Sequence, residues 1–157
     1  NNPPPIIIFR CHGHHDAITD LQVLPNSKVL ISSSGDATIR VWSIDDGTQL
    51  AVLRKHTKRG SEKLYIHTYI PNINIFVVFC IALTHDCTKL VSASADKTLK
   101  VWSMSSYEVL ASAFCALGQS LAITSDDTKV VVGVATCAIN IYRLSDLHKL
   151  KTLMGHT

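Results

Sequence analysis

From Ala17 to Trp42 the chain reads AITDLQVLPNSKVLISSSGDATIRVW, and the same frame returns without a gap from Val77 to Trp102, which reads VVFCIALTHDCTKLVSASADKTLKVW. In that frame Asp36 meets Asp96, Thr38 meets Thr98 and Trp42 meets Trp102. Further on, Ile123 to Tyr142, ITSDDTKVVVGVATCAINIY, falls onto the same pattern with Tyr142 in the tryptophan position. Self-similarity of this kind marks a stacked-repeat architecture, because one small supersecondary unit cannot bury its apolar face alone. The chain therefore carries three copies of one unit, the third degenerate.

Each copy divides into short β-rich segments separated by turn residues. In the first these are Ile18 to Val23, a Pro25-Asn26-Ser27 turn, Val29 to Ser33, a Gly35-Asp36 turn, and Thr38 to Ile44. A fourth segment follows in every copy, at Gln49 to Arg54, Glu108 to Phe114 and Lys149 to Met154. Short strands punctuated in this way predict an all-β, antiparallel structure in which each unit is a four-stranded meander.

The dipeptide Gly13-His14, the Asp of SSSGDATIRVW and the ending Trp42-Ser43 resemble the signature of the WD-repeat family, and SASADKTLKVWS in the second copy resembles it closely. One spacing separates Trp42 from His56, Trp102 from Ala116 and Tyr142 from His156, and Gly155-His156 opens a further repeat. The resemblance runs from about Ile6 to Thr157. It implies a partial β-propeller of about three four-stranded antiparallel blades in a single domain over residues 1–157, with repeats at about 13–55, 56–115 and 116–155.

The resemblance also implies a hydrogen-bonded chain within each blade. Its members are His14, Asp36 and Trp42 with Ser32 or Ser34 as the hydroxyl, and His56, Asp96 and Trp102 with Ser92 or Ser94. A turn carboxylate near a buried edge needs donors, and an imidazole, a hydroxyl and an indole N–H supply them. The paired serines lie at period two on one strand face, so both remain candidates. The third copy has Thr136 in the Asp position and Ala116 in the His position. It is expected to be the softest blade, held by the apolar packing of Val130, Val131, Val132, Ile139 and Ile141.

Two chemical readings compete with this structural one. Cys11-His12-Gly13-His14-His15-Asp16 crowds metal-binding residue types together, yet His14 is already accounted for and adjacent strand residues face opposite ways. Ser32 or Ser34 with His14 and Asp36 has the composition of a nucleophilic triad, but the set recurs in the second copy, as scaffolding would. G-x-S-x-G, P-loop and H-E-x-x-H patterns are absent from the sequence. No catalytic residue, cofactor or metal is expected.

Composition sets the remaining bounds. With 46% hydrophobic and 17% charged residues the chain is far from the disordered class. The net charge of +3 is mild and does not argue for nucleic acid. Five cysteines without C-x-x-C spacing suit a reducing, intracellular compartment, with the cytoplasm expected. Leu64 to Thr84 carries no charged side chain, but Pro71, Asn72 and Asn74 interrupt it and its second half belongs to a repeat strand, so no membrane span is expected.

His56 lies much further before Asp96 than His14 does before Asp36, which places an insertion near 58–76, as an edge loop or as sequence foreign to the repeat. Closed propellers use about four to eight blades. Three are too few, so the chain is expected to be an excerpt of a longer protein and to meet its remaining blades. The function implied is a protein-interaction scaffold binding proteins or peptides through loops. Candidate contacts are His15, Asp16, Gly35, Arg54, Lys55, Lys58, Arg59 and Ala95. The alternatives are anionic-surface or nucleic-acid binding through the basic 54–63 loop, or the sensing part of a larger signalling NTPase.

Overall fold

The computed structural model describes residues 10–25, 28–56 and 77–155. Among these, twelve strands form three four-stranded antiparallel sheets in simple chain order. The first holds β1 (Ile18–Val23), β2 (Val29–Ser34), β3 (Ile39–Ser43) and β4 (Gln49–Leu53). The second holds β5 (Val78–Leu83), β6 (Lys89–Ser94), β7 (Thr98–Ser103) and β8 (Val109–Phe114). The third holds β9 (Gly118–Ile123), β10 (Lys129–Val134), β11 (Ala138–Arg143) and β12 (Lys149–Met154). The all-β, three-blade expectation is met. Asn26 and Ser27 of the first predicted turn, the segment at 58–76 and the Gly155-His156 opening at His156 lie outside the described residues.

The sheets repeat down to their turns. Between second and third strands the chain turns through positive φ at Ala37, Lys97 and Cys137, and between third and fourth strands at Gly47, Tyr107 and Leu147. Only Gly47 enters this left-handed region without Cβ crowding. Hydrogen bonds close the hairpins at equivalent sites, as in Ser43 N to Thr48 O, Ser103 N to Glu108 O and Arg143 N to His148 O, each 2.8 or 2.9 Å.

Residues paired across neighbouring strands share a sheet face, and this sorts the apolar side chains into two seams. Ile31, Ile39, Val41 and Leu53 of the first sheet pack on Val78, Ile81, Leu90 and Trp102 of the second. Cys80, Val91, Ala93, Leu99 and Val101 of the second pack on Val130, Val132, Val134 and Tyr142 of the third. Each fully buried aliphatic side chain contributes about 1.5–3 kcal/mol, so the seams dominate stability. The second sheet is thus apolar on both faces, as its near-continuous hydrophobic strands require.

The first strands touch in sequence, β1 on β5 and β5 on β9. At the first seam Asp20 Oδ2 accepts the Ile81 N–H (2.9 Å), Thr19 Oγ1 donates to Val78 O, and Gln22 Nε2 donates to Ile81 O. At the second, Asp127 accepts the N–H groups of His85 (2.9 Å) and Asp86 (3.3 Å), clipping one turn to the next. Gly118 marks the tightest approach there: a Cβ on it would lie 2.8 Å from Val132 Cγ1 and 2.9 Å from Ala93 Cβ. No helix among the described residues is long and apolar enough to cross a membrane, and Val78–Leu83 of the charge-free stretch is strand β5.

Candidate functional site

The first and second sheets each contain a closed polar chain at equivalent positions. In the first, the Trp42 indole donates to Ser32 Oγ (2.8 Å), Ser32 lies 2.7 Å from His14 Nε2, and His14 Nδ1 lies 2.9 Å from Asp36 Oδ2. A carboxylate accepts only, so Nδ1 carries the proton and donates to it; Nε2 then accepts the Ser32 hydroxyl. The second sheet repeats this with Trp102 to Ser92 (2.8 Å), Ser92 to His56 Nε2 (2.7 Å) and His56 Nδ1 to Asp96 Oδ2 (2.8 Å). Each imidazole also meets its tryptophan obliquely, at 6.0 and 5.9 Å between ring centres.

The structure resolves the serine choice. Ser32 and Ser92 stand mid-strand, opposite Arg40 and Lys100, where the histidine reaches them. Ser34 and Ser94 end their strands and serve the turns: Ser34 Oγ donates to Asp16 O and accepts the Asp36 N–H, while Ser94 Oγ donates to Val77 O and accepts the Asp96 N–H. Strand-end position, not face, separates the two roles.

A fifth member was not anticipated. Thr38 donates through Oγ1 (2.6 Å) and N–H (2.9 Å) to Asp36 Oδ1, and Thr98 repeats both bonds on Asp96. Its recurrence in the first two copies was the available signal. Burial by itself raises both carboxyl groups, but donors from Thr38, His14 and the His15 backbone outweigh it and hold Asp36 well below the usual carboxylate range. Asp96 is likewise lowered, burial again opposing, by the hydrogen bonds of His56 and Thr98. A second recurrent carboxylate motif, Thr84-x-Asp86-x-Thr88 and Thr124-x-Asp126-x-Thr128, closes the turns after β5 and β9. Threonine hydroxyls and backbone N–H groups lower Asp86 and Asp126 to about 2.

The third sheet does without the chain: Ala116, Val132, Thr136 and Tyr142 occupy its places. The expectation of purely apolar packing there needs amending, because Thr152 Oγ1 donates to Asn140 Oδ1 (2.8 Å). Residues 130–132 also alternate, with Val130 and Val132 in the seam and Val131 on the opposite face.

Ser32–His14–Asp36 has the connectivity of a nucleophilic triad, but Ser32 is buried and its oxygen already accepts the Trp42 indole N–H. His14 has neither ring nitrogen spare for a metal, since Asp36 and Ser32 take both. Gly13 packs close under the same wall, where a Cβ would lie 2.5 Å from Arg40 Nη1 and 3.0 Å from the Trp42 ring. The arrangement fastens the segment entering β1 to the end of β2 and the start of β3.

That fastening places several candidate contact residues along one edge. His15 and Asp16 precede β1, Gly35 follows β2, and Arg54 and Lys55 follow β4; all but Gly35 are exposed. Ala95 departs from expectation. Its N–H donates to Val77 O (2.8 Å), which draws it in beside the start of β5, and it is buried. Lys58 and Arg59 lie outside the described residues.

The family model "WD domain, G-beta repeat" matches residues 5–43 and 66–103. The U3 small nucleolar RNA-associated protein 15 homolog of Xenopus laevis is 31% identical over 130 residues, covering 82% of this chain and 22% of that protein. Apoptotic protease-activating factor 1 of Homo sapiens is 34% identical over 91 residues, covering 58% of this chain and 6% of that protein. The crystal structure of RRP9 WD40 repeats superposes with a TM-score of 0.73 at 22% identity, over 94% of this chain and 41% of that one. The chain thus spans about a fifth or less of these curated relatives.

Proposed function

Because the chain belongs to the WD-repeat family, we propose that it is part of a protein-interaction scaffold whose contacts lie on the edge carrying His15, Asp16, Arg54 and Lys55. The supporting observation is that His14, Ser32, Asp36 and Trp42, and likewise His56, Ser92, Asp96 and Trp102, are spent internally in two equivalent buried chains, which fasten that edge. Rigid edges lose little conformational entropy on binding. An exposed acid, an exposed imidazole and two exposed cations suit a partner peptide of mixed charge. The five cysteines are all free thiols, which supports an intracellular, cytoplasmic setting for the same role.

The test is cross-linking mass spectrometry on the intact gene product in its cells. Partner peptides should map to residues near 14–16 and 54–55, and Arg54→Glu with Lys55→Glu should remove them while leaving the fold's circular dichroism unchanged. Cross-links confined to the opposite sheet edge would defeat the proposal. A second reading, binding of single-stranded RNA, rests on the exposed pair Arg54 and Lys55. It predicts anisotropy changes that vanish steeply as salt rises.

A further inference from the structure

Two sheet faces have no neighbouring sheet among the described residues. On the first sheet, Ile18 and Leu21 stand 56% and 51% exposed, whereas Val78 and Ile81, one repeat on, are 0% and 2% exposed because the first sheet covers them. On the third sheet the far face presents Val131, Ile139, Ile141 and Leu153, with a shallow hollow between Ala122, Gly133 and Ile139. Leu153 is 40% exposed, whereas Leu53 in the same place on the first sheet is 3% exposed.

We propose that two copies of this chain associate head to tail, the far face of the third sheet of one copy covering the open face of the first sheet of the other. The chain itself supplies the template, for the seam between first and second sheets is built from the same positions. Its one side is Ile31, Ile39, Val41 and Leu53, to which Val131, Ile139, Ile141 and Leu153 correspond. Its other side is Val78, Ile81 and Leu90, to which Ile18, Leu21 and Leu30 correspond. Every substitution in this mapping is aliphatic for aliphatic. Trp42 holds the place of Trp102 but is already covered.

The contact is heterologous, each copy offering one face of each kind, so it satisfies itself only in a ring or continues without end. Two copies give six sheets, inside the range of about four to eight that closed propellers use. The intermolecular seam keeps the aliphatic centre of its template but not its margin, where Lys129 and Lys151 replace Val29 and Ala51. Ser120 and Ala122 stand where Asp20 and Gln22 bond the Ile81 backbone, so apolar contact carries the association.

Sedimentation velocity on the 157-residue chain tests this, with an expected mass twice 17.2 kDa. Leu21→Glu blocks one face and Leu153→Glu the other; both positions are exposed in the single chain, and circular dichroism checks that each variant folds. Each variant alone should be monomeric, and an equimolar mixture should recover a two-chain species through its one intact seam. If either variant fails to fold, Ile18→Glu or Ile139→Glu replaces it. A monomeric parent chain, which would leave both faces for further sheets of a longer polypeptide, overturns the proposal. So does a ladder of larger species, either variant pairing with itself, or a mixture that stays monomeric.

Discussion

Replacing Asp36 by alanine removes an acceptor that serves four donors at once: His14 Nδ1, His15 N–H, Thr38 N–H and Thr38 Oγ1. His15 N–H is exposed and can turn to water. The His14 ring and Thr38 are buried with the strand ends, and stranding a buried donor costs about 1–3 kcal/mol. Thr38 Oγ1 can rotate toward His14 Nδ1, 3.3 Å away, and recover part of the loss. The expected net effect is about 2–3 kcal/mol, and at about 2–4 °C per kcal/mol for a chain of this size Tm should fall by about 4–12 °C. Thermal melts followed by fluorescence in a Trp102→Phe background read the first sheet through Trp42 alone, at fixed protein concentration so that association does not shift the midpoint. Thr136→Ala, at the same repeat position in the third sheet, is exposed and should change Tm by less than about 2 °C. Equal shifts for the two variants would refute the assignment of Asp36 as the hub of the chain.

Gly118→Ala should destabilise by about 1–3 kcal/mol in urea titrations, because its Cβ would press on Val132 and Ala93 from two sheets; a neutral result would mean that the second seam is loosely packed. Ala37→Gly should stabilise by up to about 1 kcal/mol, since Ala37 sits at a φ of 64°, and no gain in midpoint would show that the turn relaxes without strain. Stability should also depend on acid. Asp36 and Asp96 titrate lower folded than unfolded, so what they contribute is fully present above the ordinary value of 3.8 and lost as pH falls through the depressed folded values. Denaturation midpoints that stay flat from pH 5 to pH 2 in an Asp86→Asn, Asp126→Asn background would contradict this.

Both polar chains were legible through the resemblance of Gly13-His14, Asp36 and Trp42, and of Asp96 and Trp102, to the WD-repeat signature, because residue identity and spacing are what a hydrogen-bonded chain within one sheet depends on. The hydroxyl could not be chosen between Ser32 and Ser34, since alternation puts both on one face and only the strand's end distinguishes them. Contacts between sheets were out of reach for a different reason. Asp20 on the Ile81 backbone and Asp127 on His85 and Asp86 depend on how far one sheet slides over the next, which no local pattern encodes. The left-handed Tyr107 and Leu147 carried no glycine to announce them; they are known by their register with Gly47. The third sheet lies beyond the family match, yet its strands follow from Val, Ile and turn residues alone.

Cys80 sits in the seam between the second and third sheets, its thiol within reach of Gly118 O. Burial, helped by the nearby charge of Asp20, pushes that thiol up to about 12, so at neutral pH almost none of it is the reactive thiolate. Cys137, by contrast, is exposed on a turn. An alkylating reagent would therefore modify Cys137 at the rate of an accessible thiol and Cys80 only in those moments when the two sheets part. The slower of the two labelling rates is a clock for seam opening, carried by the chain itself and readable without any engineered probe.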